Sequence, residues 1–550
     1  MTIVTRAWYG RPRGGNPVPR SAHVDSFARD HLPPREEWPE LIFDLPELAY
    51  PSRLNCADEL LDASAARHGG ERRCLVTDQS TWTYADLIAH TNRIAHVLAD
   101  DLGIVPGNRV LLRGTNNRWQ VACWLAVLKA GGVVVSTMPL LRAGELRPVI
   151  DASQPSLAIC DAGLVDELAA DGLGCLPIVT VGDAGADDLV ARSRSKPNTF
   201  AAVQTAADDV ALIAFTSGTT GRPKGCMHFH RDVLAIADTF SNRVLHPHRD
   251  SLFVASPPMA FTYGLGGMLV FPLRCGAASL LVEKTAPPLL AEAIERHGAT
   301  ALFTAPTAYR AMLRLPEMNV ASLEHCVSAG EHLPPATWEA WREATGLRII
   351  DGIGATEMLH IFISASGDEI RPGATGRAVP GFRARIVGDD DEPAPDNVVG
   401  RLQVQGPVGC RYLADDRQAE YVRGGWNVTG DSYLRDPDGY FWYQARTDDM
   451  IISSGYNIAG PEVEGALLRH GDVAEAAVVG IPDEGRGTLV KAYVVLAQGV
   501  DVHDDSARLL QEFVKQQIAP YKYPRVIEFV DALPRTSTGK LQRFRLRERA

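Results

Sequence analysis

Apolar and polar positions follow two rhythms along this chain. From about residue 55, short apolar runs alternate with longer segments of helical spacing. Thr83 can cap a helix that carries Leu87, Ile94, Val97 and Leu98 on one face. Residues 109–113 then read as a short buried strand, and the alternation recurs with strands at 210–215, 251–255, 301–304 and 326–328. Strands alternating with helices predict α/β layers with largely parallel sheets.

After about residue 375 the rhythm changes. Strand-like runs at 383–387 and 401–405 have no long helix between them, and runs at 432–435 and 440–444 flank the turn signal Pro437-Asp438-Gly439. This predicts a small β-rich subdomain over about 375–447. The last hundred residues have a third pattern: helices at 461–468 and 506–518, and strands at 476–480, 491–496 and 526–530. Leu509, Leu510, Phe513, Val514 and Ile518 would form the apolar stripe of the second helix. Residues 1–50 are rich in Pro and Arg without a period and read as an irregular extension. The predicted fold class is α/β. A large N-terminal domain of layered subdomains (1–447) precedes a small mobile α+β cap (448–550), with the boundary within Arg446-Thr447-Asp448-Asp449.

Composition narrows the function. A length of 550 residues suggests about three to four packed units. The net charge of −12 disfavours general binding to nucleic acid or to an anionic membrane. The most apolar stretch, 121–141, is broken by Lys129, Gly131 and Gly132 and is too interrupted to span a bilayer. The nine cysteines are scattered singly, which fits a reducing compartment and gives neither a zinc knuckle nor a dithiol pair. No secretory h-region opens the chain. The expectation is a cytoplasmic enzyme with no nucleic-acid or membrane partner; a homodimer is compatible with it.

The most informative segment is Thr216-Ser217-Gly218-Thr219-Thr220-Gly221-Arg222-Pro223-Lys224-Gly225. It follows an apolar strand and holds four hydroxyls, three glycines and a lysine. Glycines let backbone N–H groups approach an anion, hydroxyls add donors and the lysine adds a charge, a set suited to a polyphosphate. It is not a Walker A loop, because Lys224 follows Pro223 and precedes Gly225.

In this segment the sequence resembles the adenylate-forming superfamily of acyl-CoA synthetases, luciferase-like enzymes and adenylation domains. Other motifs follow in order: Gly352-Ile353-Gly354-Ala355-Thr356-Glu357, Val428-Thr429-Gly430-Asp431, Ala445-Arg446-Thr447-Asp448 and Pro534-Arg535-Thr536-Ser537-Thr538-Gly539-Lys540. The resemblance implies ATP, magnesium and coenzyme A as co-substrates and metal. It implies that the loop from Thr216 to Lys224 holds the β- and γ-phosphates, Thr356 lies near the α-phosphate, and Glu357 coordinates magnesium. Asp431 would bind the ribose, and Arg446 the ribose or phosphate. Gly330, Glu331 and His332, with Asp351, Gly352, Ile353 and Gly354, would wall the adenine. Lys540 would be catalytic, Asp448 the hinge, and Ser454, Gly455 and Tyr456 the thiol tunnel.

The acid pocket is expected at Phe261, Thr262, Tyr263 and Gly264, with Leu359, His360 and Ile361. Small and aromatic residues together suit a ring better than a long chain. Within the superfamily this segment and the run Glu357-Met358-Leu359-His360-Ile361-Phe362 are similar to benzoate-CoA ligases, enzymes of aromatic compound degradation. Residues 41–56 are closer to 2-aminobenzoate-CoA ligases. Thr262 departs from the alanine of the benzoate enzymes. Its hydroxyl could meet an ortho-amino group or satisfy a backbone carbonyl, and His360 could bound the ring, bond a substituent or belong to the core. The favoured acid is 2-aminobenzoate, with benzoate close behind. The alternatives are a stand-alone enzyme that loads an aryl acid onto a carrier protein and a non-catalytic nucleotide-binding homologue.

Overall fold

The computed structural model describes residues 21–169, 176–182, 185–216, 223–446, 449–453, 456–483, 487–518, 522–535 and 541–549. Two large α/β sheets form the body. The first is ordered Ile178–Val181, Leu157–Asp161, Arg109–Arg113, Val133–Thr137, Val210–Thr216, Lys224–Phe229. Its neighbours are parallel except the last pair, an antiparallel hairpin. The strand Arg109–Arg113 is buried along its whole length, as a strand covered on both faces by helices must be.

The helix Arg118–Lys129 packs within this layer. The Asn117 side chain caps its start by accepting from the Gln120 N–H, and Lys129 ends it fully buried. The Lys129 ammonium bonds to Asn92 Oδ1 at 2.7 Å and pairs with Asp62 at 2.5 Å, so the buried charge is matched. The apolar stretch 121–141 is therefore this helix and the following strand. Among the described residues no helix is long and apolar enough to cross a membrane.

The second sheet is ordered Arg377–Ala378, Ile361–Ser364, Ile349–Gly354, His325–Ser328, Ala301–Thr304, Leu252–Ala255, Ala278–Leu280, Arg73–Val76, Thr81–Thr83. Its centre is parallel and its two ends turn antiparallel. Thr83 caps the helix Tyr84–His96 as expected, in a reciprocal arrangement with Asp86.

The β-rich part is an antiparallel sheet of Arg383–Val387, Gly400–Gln405, Trp426–Arg435 and Val422–Arg423, with Phe441–Arg446 paired on Trp426–Arg435. The turn at 437–439 closes by the Gly439 N–H to the Asp436 carbonyl, with Gly439 at φ +85°. The strand Trp426–Arg435 begins well before the expected residue 432. Its apolar rhythm is hidden by a bulge: Gln403 faces Val428 and Arg401 faces Ser432, so Thr429, Gly430 and Asp431 bow out between them.

The C-terminal unit has its own core of Ile451, Val463, Leu467, Val478, Val490, Leu510 and Val514. Val473–Asp483 pairs antiparallel with Gly487–Leu496, which pairs parallel with Val526–Phe529. One expectation is corrected here. In the helix Ser506–Gln517, Leu510 and Val514 are buried but Leu509 is 54% exposed. Neighbouring helical positions differ by about 100° in direction, and Leu509 falls just outside the stripe. Residues 21–50 contain only one-turn helices such as Phe27–Asp30, and are tied down by Leu41 bridging to Gly406 and by an Asp25–Arg109 ion pair.

Candidate active site

The hairpin Val210–Thr216 and Lys224–Phe229 ends at the pair Thr216–Lys224, the two residues that flank the glycine- and hydroxyl-rich segment in sequence. Ser217, Gly218, Thr219, Thr220 and Gly221 lie outside the described residues, as do Asp448, Ser454, Gly455 and Lys540. Tyr456 opens the short strand Tyr456–Ile458, paired to Ser453.

The return strand of the hairpin is gripped from its other side. The Met227 N–H donates to the Arg411 carbonyl at 2.7 Å and the Leu413 N–H to the Gly225 carbonyl at 2.8 Å. Arg411 and Asp232, both fully buried, form an ion pair, and the Arg411 guanidinium lies 3.9 Å from the Phe229 ring centre. This grip puts Tyr412 beside the hairpin, with its ring 4.7 Å from Lys224 Nζ. The Tyr412 hydroxyl donates to Glu357 Oε1 at 2.5 Å. His228, on the same return strand, donates from Nε2 to the Thr356 carbonyl at 2.8 Å. The turn carrying Thr356 and Glu357 is thus bonded once to the hairpin, through His228, and once to the neighbouring segment, through Tyr412. Burial raises the Glu357 carboxyl above the ordinary carboxylate range, and the nearby Cys226 adds to the rise.

Glu357 fits a magnesium site of the kind completed by phosphates, in which one or two carboxylates suffice. Among the described residues no cluster of three or more His, Cys, Asp or Glu could hold a metal by itself.

The bulge that hid a strand also sets the nucleotide side. Asp431 faces Arg446 across the sheet, and Arg446 Nη1 donates to Asp431 Oδ1 at 3.2 Å. Gly430 sits at φ +74°, a conformation that favours glycine. The His332 ring stacks on Tyr443 at 5.3 Å, and burial lowers its pKa to about 4, leaving it neutral. Gly330, at φ +88°, borders open space. Asp351 and Gly352 lie on the strand Ile349–Gly354 with Ile353 and Gly354, beside Ser328 in register with Asp351. Asp351 Oδ1 is buried without a hydrogen-bond partner among the described residues, and burial raises its pKa to about 8.

Tyr263 and His360 of the expected acid pocket belong to a packed aromatic cluster. Tyr263 donates to the Val327 carbonyl at 3.0 Å, which fixes its ring 5.8 Å from Phe303 and 5.6 Å from His360. His360 also meets Phe271 edge-on at 4.6 Å. It is buried, and neither ring nitrogen has a hydrogen-bond partner among the described residues; burial lowers its pKa to about 3. Phe261 and Thr262 are half-buried at the start of the helix Thr262–Leu265, which continues as π-helical turns over Gly266–Val270.

Three residues assigned to the pocket have clear packing roles. A Cβ on Gly264 would lie 2.2 Å from the Pro258 carbonyl oxygen, so its small size makes room for backbone. Leu359, at φ +63°, is fully buried in the core, and Ile361 is buried against Gly352.

The sequence reading missed Tyr412 and His228. A single tyrosine in an irregular stretch and a histidine in a strand carry no local signal; only the pairing across the hairpin exposes them. It also missed the role of Arg535, which bonds to Glu331 at 3.1 Å and to Glu475 at 2.5 Å. Arg535 thereby ties the C-terminal unit to Glu331 of the expected adenine wall.

The AMP-binding enzyme family matches residues 61–412, and the AMP-binding enzyme C-terminal domain matches 462–540. The chain belongs to the AMP-binding enzyme family. As a member of this family it is an adenylate-forming acid–thiol ligase that uses ATP, magnesium and coenzyme A. It is 36% identical over 513 residues to benzoate–CoA ligase of Thauera aromatica, covering 91% of this chain and 97% of that protein. It is 34% identical over 515 residues to 3-hydroxybenzoate–CoA ligase of Aromatoleum sp. (strain CIB), covering 90% and 97%. Among solved structures it is similar to the anthranilate CoA ligase AuaEII in complex with anthranoyl-AMP, with a TM-score of 0.88, 32% identity, and coverage of 92% of this chain and 99% of that one. A benzoate CoA ligase from Burkholderia xenovorans LB400 gives a TM-score of 0.83 at 31% identity, covering 90% and 99%. The fold of the AMP-binding enzymes, a large α/β domain followed by a C-terminal domain, is the fold described above.

Proposed function

We propose that this AMP-binding enzyme is an aryl-CoA ligase that activates an aromatic carboxylic acid, with 2-aminobenzoate favoured and benzoate close. The observation that carries the reading is the aromatic cluster of Tyr263, Phe271, Phe303 and His360, whose His360 follows the Thr356–Glu357 turn by three residues. Tyr263 is its half-buried member, and an aromatic surface there suits a ring. Similarity to an anthranilate ligase and to benzoate ligases supports the same acid class.

In the first half-reaction a carboxylate oxygen of the acid attacks the α-phosphorus of ATP. The bond to the β-phosphate oxygen breaks, pyrophosphate leaves and a mixed anhydride remains. Two anions must meet, so the residues act by positioning and by offsetting charge. Thr216 to Lys224 hold the β- and γ-phosphates, Thr356 lies near the α-phosphate, and Lys540 meets the charge at the α-phosphate. Asp431 and Arg446 hold the ribose, while Gly330–His332 and Asp351–Gly354 enclose the adenine. Glu357 would hold magnesium, which when bound would supply further charge compensation.

In the second half-reaction the thiol of coenzyme A attacks the acyl carbonyl, the thioester forms and AMP leaves. The nucleophile is the cofactor's sulfur, so no enzyme cysteine is needed. For Lys540 to act first and the thiol to enter later, the unit from residue 448 onward turns about Asp448 and brings Ser454, Gly455 and Tyr456 to the thiol path. The enzyme works in the cytoplasm.

The test is an acid panel that reads pyrophosphate release with and without coenzyme A. The expected kcat/KM order places 2-aminobenzoate and benzoate above 2-hydroxybenzoate and above any medium-chain fatty acid. A preference for the fatty acid would overturn the aryl reading.

A further inference from the structure

The reading above leaves open how a buried carboxylate is aimed at a cation. We propose that Tyr412 is a positioning residue that couples the metal-binding carboxylate to the phosphate-binding lysine. Its hydroxyl takes one oxygen of Glu357 and leaves the other for the cation, and its ring face supports the Lys224 ammonium. This inference rests on the assignment of Glu357 as the magnesium ligand.

The geometry is on one side chain. The Tyr412 hydroxyl donates to Glu357 Oε1 at 2.5 Å while the ring centre lies 4.7 Å from Lys224 Nζ. Tyr412 is fully buried, and Tyr421 stands edge-on to its ring at 5.7 Å with its own ring 5.8 Å from Lys224 Nζ. The backbone around it cannot drift: residues 411 and 413 bond to residues 227 and 225 of the hairpin, and Cys226 bridges to Tyr412. A phenol held this way fixes the carboxylate plane, as partners behind metal ligands do; losing such a partner typically lowers metal affinity about 10- to 100-fold. The electron-rich ring face attracts the ammonium without neutralising it, which leaves its charge for phosphate.

The test measures Mn2+ binding by EPR in the presence of α,β-methylene-ATP, which cannot be cleaved to pyrophosphate. Tyr412→Phe, Glu357→Gln and the double variant are compared with the wild-type enzyme. The proposal expects Tyr412→Phe to weaken Mn2+ by about tenfold, Glu357→Gln to weaken it at least as much, and the double variant to match Glu357→Gln. If Glu357→Gln weakens Mn2+ and Tyr412→Phe does not, or if the losses simply multiply, the Tyr412 proposal is overturned while the ligand assignment stands. If Glu357→Gln binds Mn2+ as the wild type does, the ligand assignment itself fails and takes the proposal with it. Should Tyr412→Phe not fold, 3-fluorotyrosine placed at position 412 keeps both the ring and the hydroxyl. Broadening of its 19F resonance by Mn2+ supports the proposal, and an unchanged resonance overturns it.

Discussion

Asp351 shows what a single buried carboxyl asks of this fold. Its raised pKa, about 8, means that the folded protein keeps a proton which the unfolded chain releases near pH 4. Between those values the folded state binds more protons, so stability falls as pH rises. Thermal unfolding of the nucleotide-free enzyme from pH 5 to 8 should therefore show a decline in Tm that Asp351→Asn flattens. An unchanged slope in the variant would assign the decline to other groups. At this scale the expected site residues come from local motifs. Thr356, Glu357, Asp431 and Arg446 were expected from their own segments, and the structure puts Asp431 against Arg446. Tyr412 and His228 were not legible, because their roles come from long-range pairing that leaves no local pattern. Gly264 shows the converse. It was expected in the acid pocket, yet a Cβ there would strike the Pro258 carbonyl.

Elements were read best where burial enforces one rhythm. The strand Arg109–Arg113 is buried throughout and was found with its bounds. The strand Trp426–Arg435 was found only in part, because the bulge at Gly430 shifts inward and outward positions halfway along it. That irregularity is also what presents Asp431, so the misread element and the functional residue have one cause. The helix Ser506–Gln517 gives a direct check on which face is inside. Leu510→Ala should destabilise the C-terminal unit by about 2–5 kcal/mol, whereas Leu509→Ser should change it by less than about 0.5 kcal/mol. Denaturant melts of the two variants would reveal the difference, and equal effects would contradict the described orientation.

For the whole molecule, the proposed division of labour is between a body that holds the substrates and a cap that brings one charge. The cap has its own core, and its contacts with the body include polar ones such as Arg535 with Glu331 and Arg314 with the Ala474 carbonyl. Polar contacts of this kind can be exchanged for water at little cost, as a turning domain requires. The alternation of strands and helices, then the β-rich stretch, then the α+β end was readable along the sequence because each part has its own rhythm. How the cap sits on the body was not, since that depends on side chains hundreds of positions apart, as with Glu331 and Arg535. The most direct measurement separates the two half-reactions in Lys540→Ala. Acid-dependent pyrophosphate exchange should fall by at least about 10²–10³, while thioester formation from supplied aryl-adenylate and coenzyme A should be largely kept. Equal loss of both steps, or exchange at the wild-type rate, would contradict this division of labour.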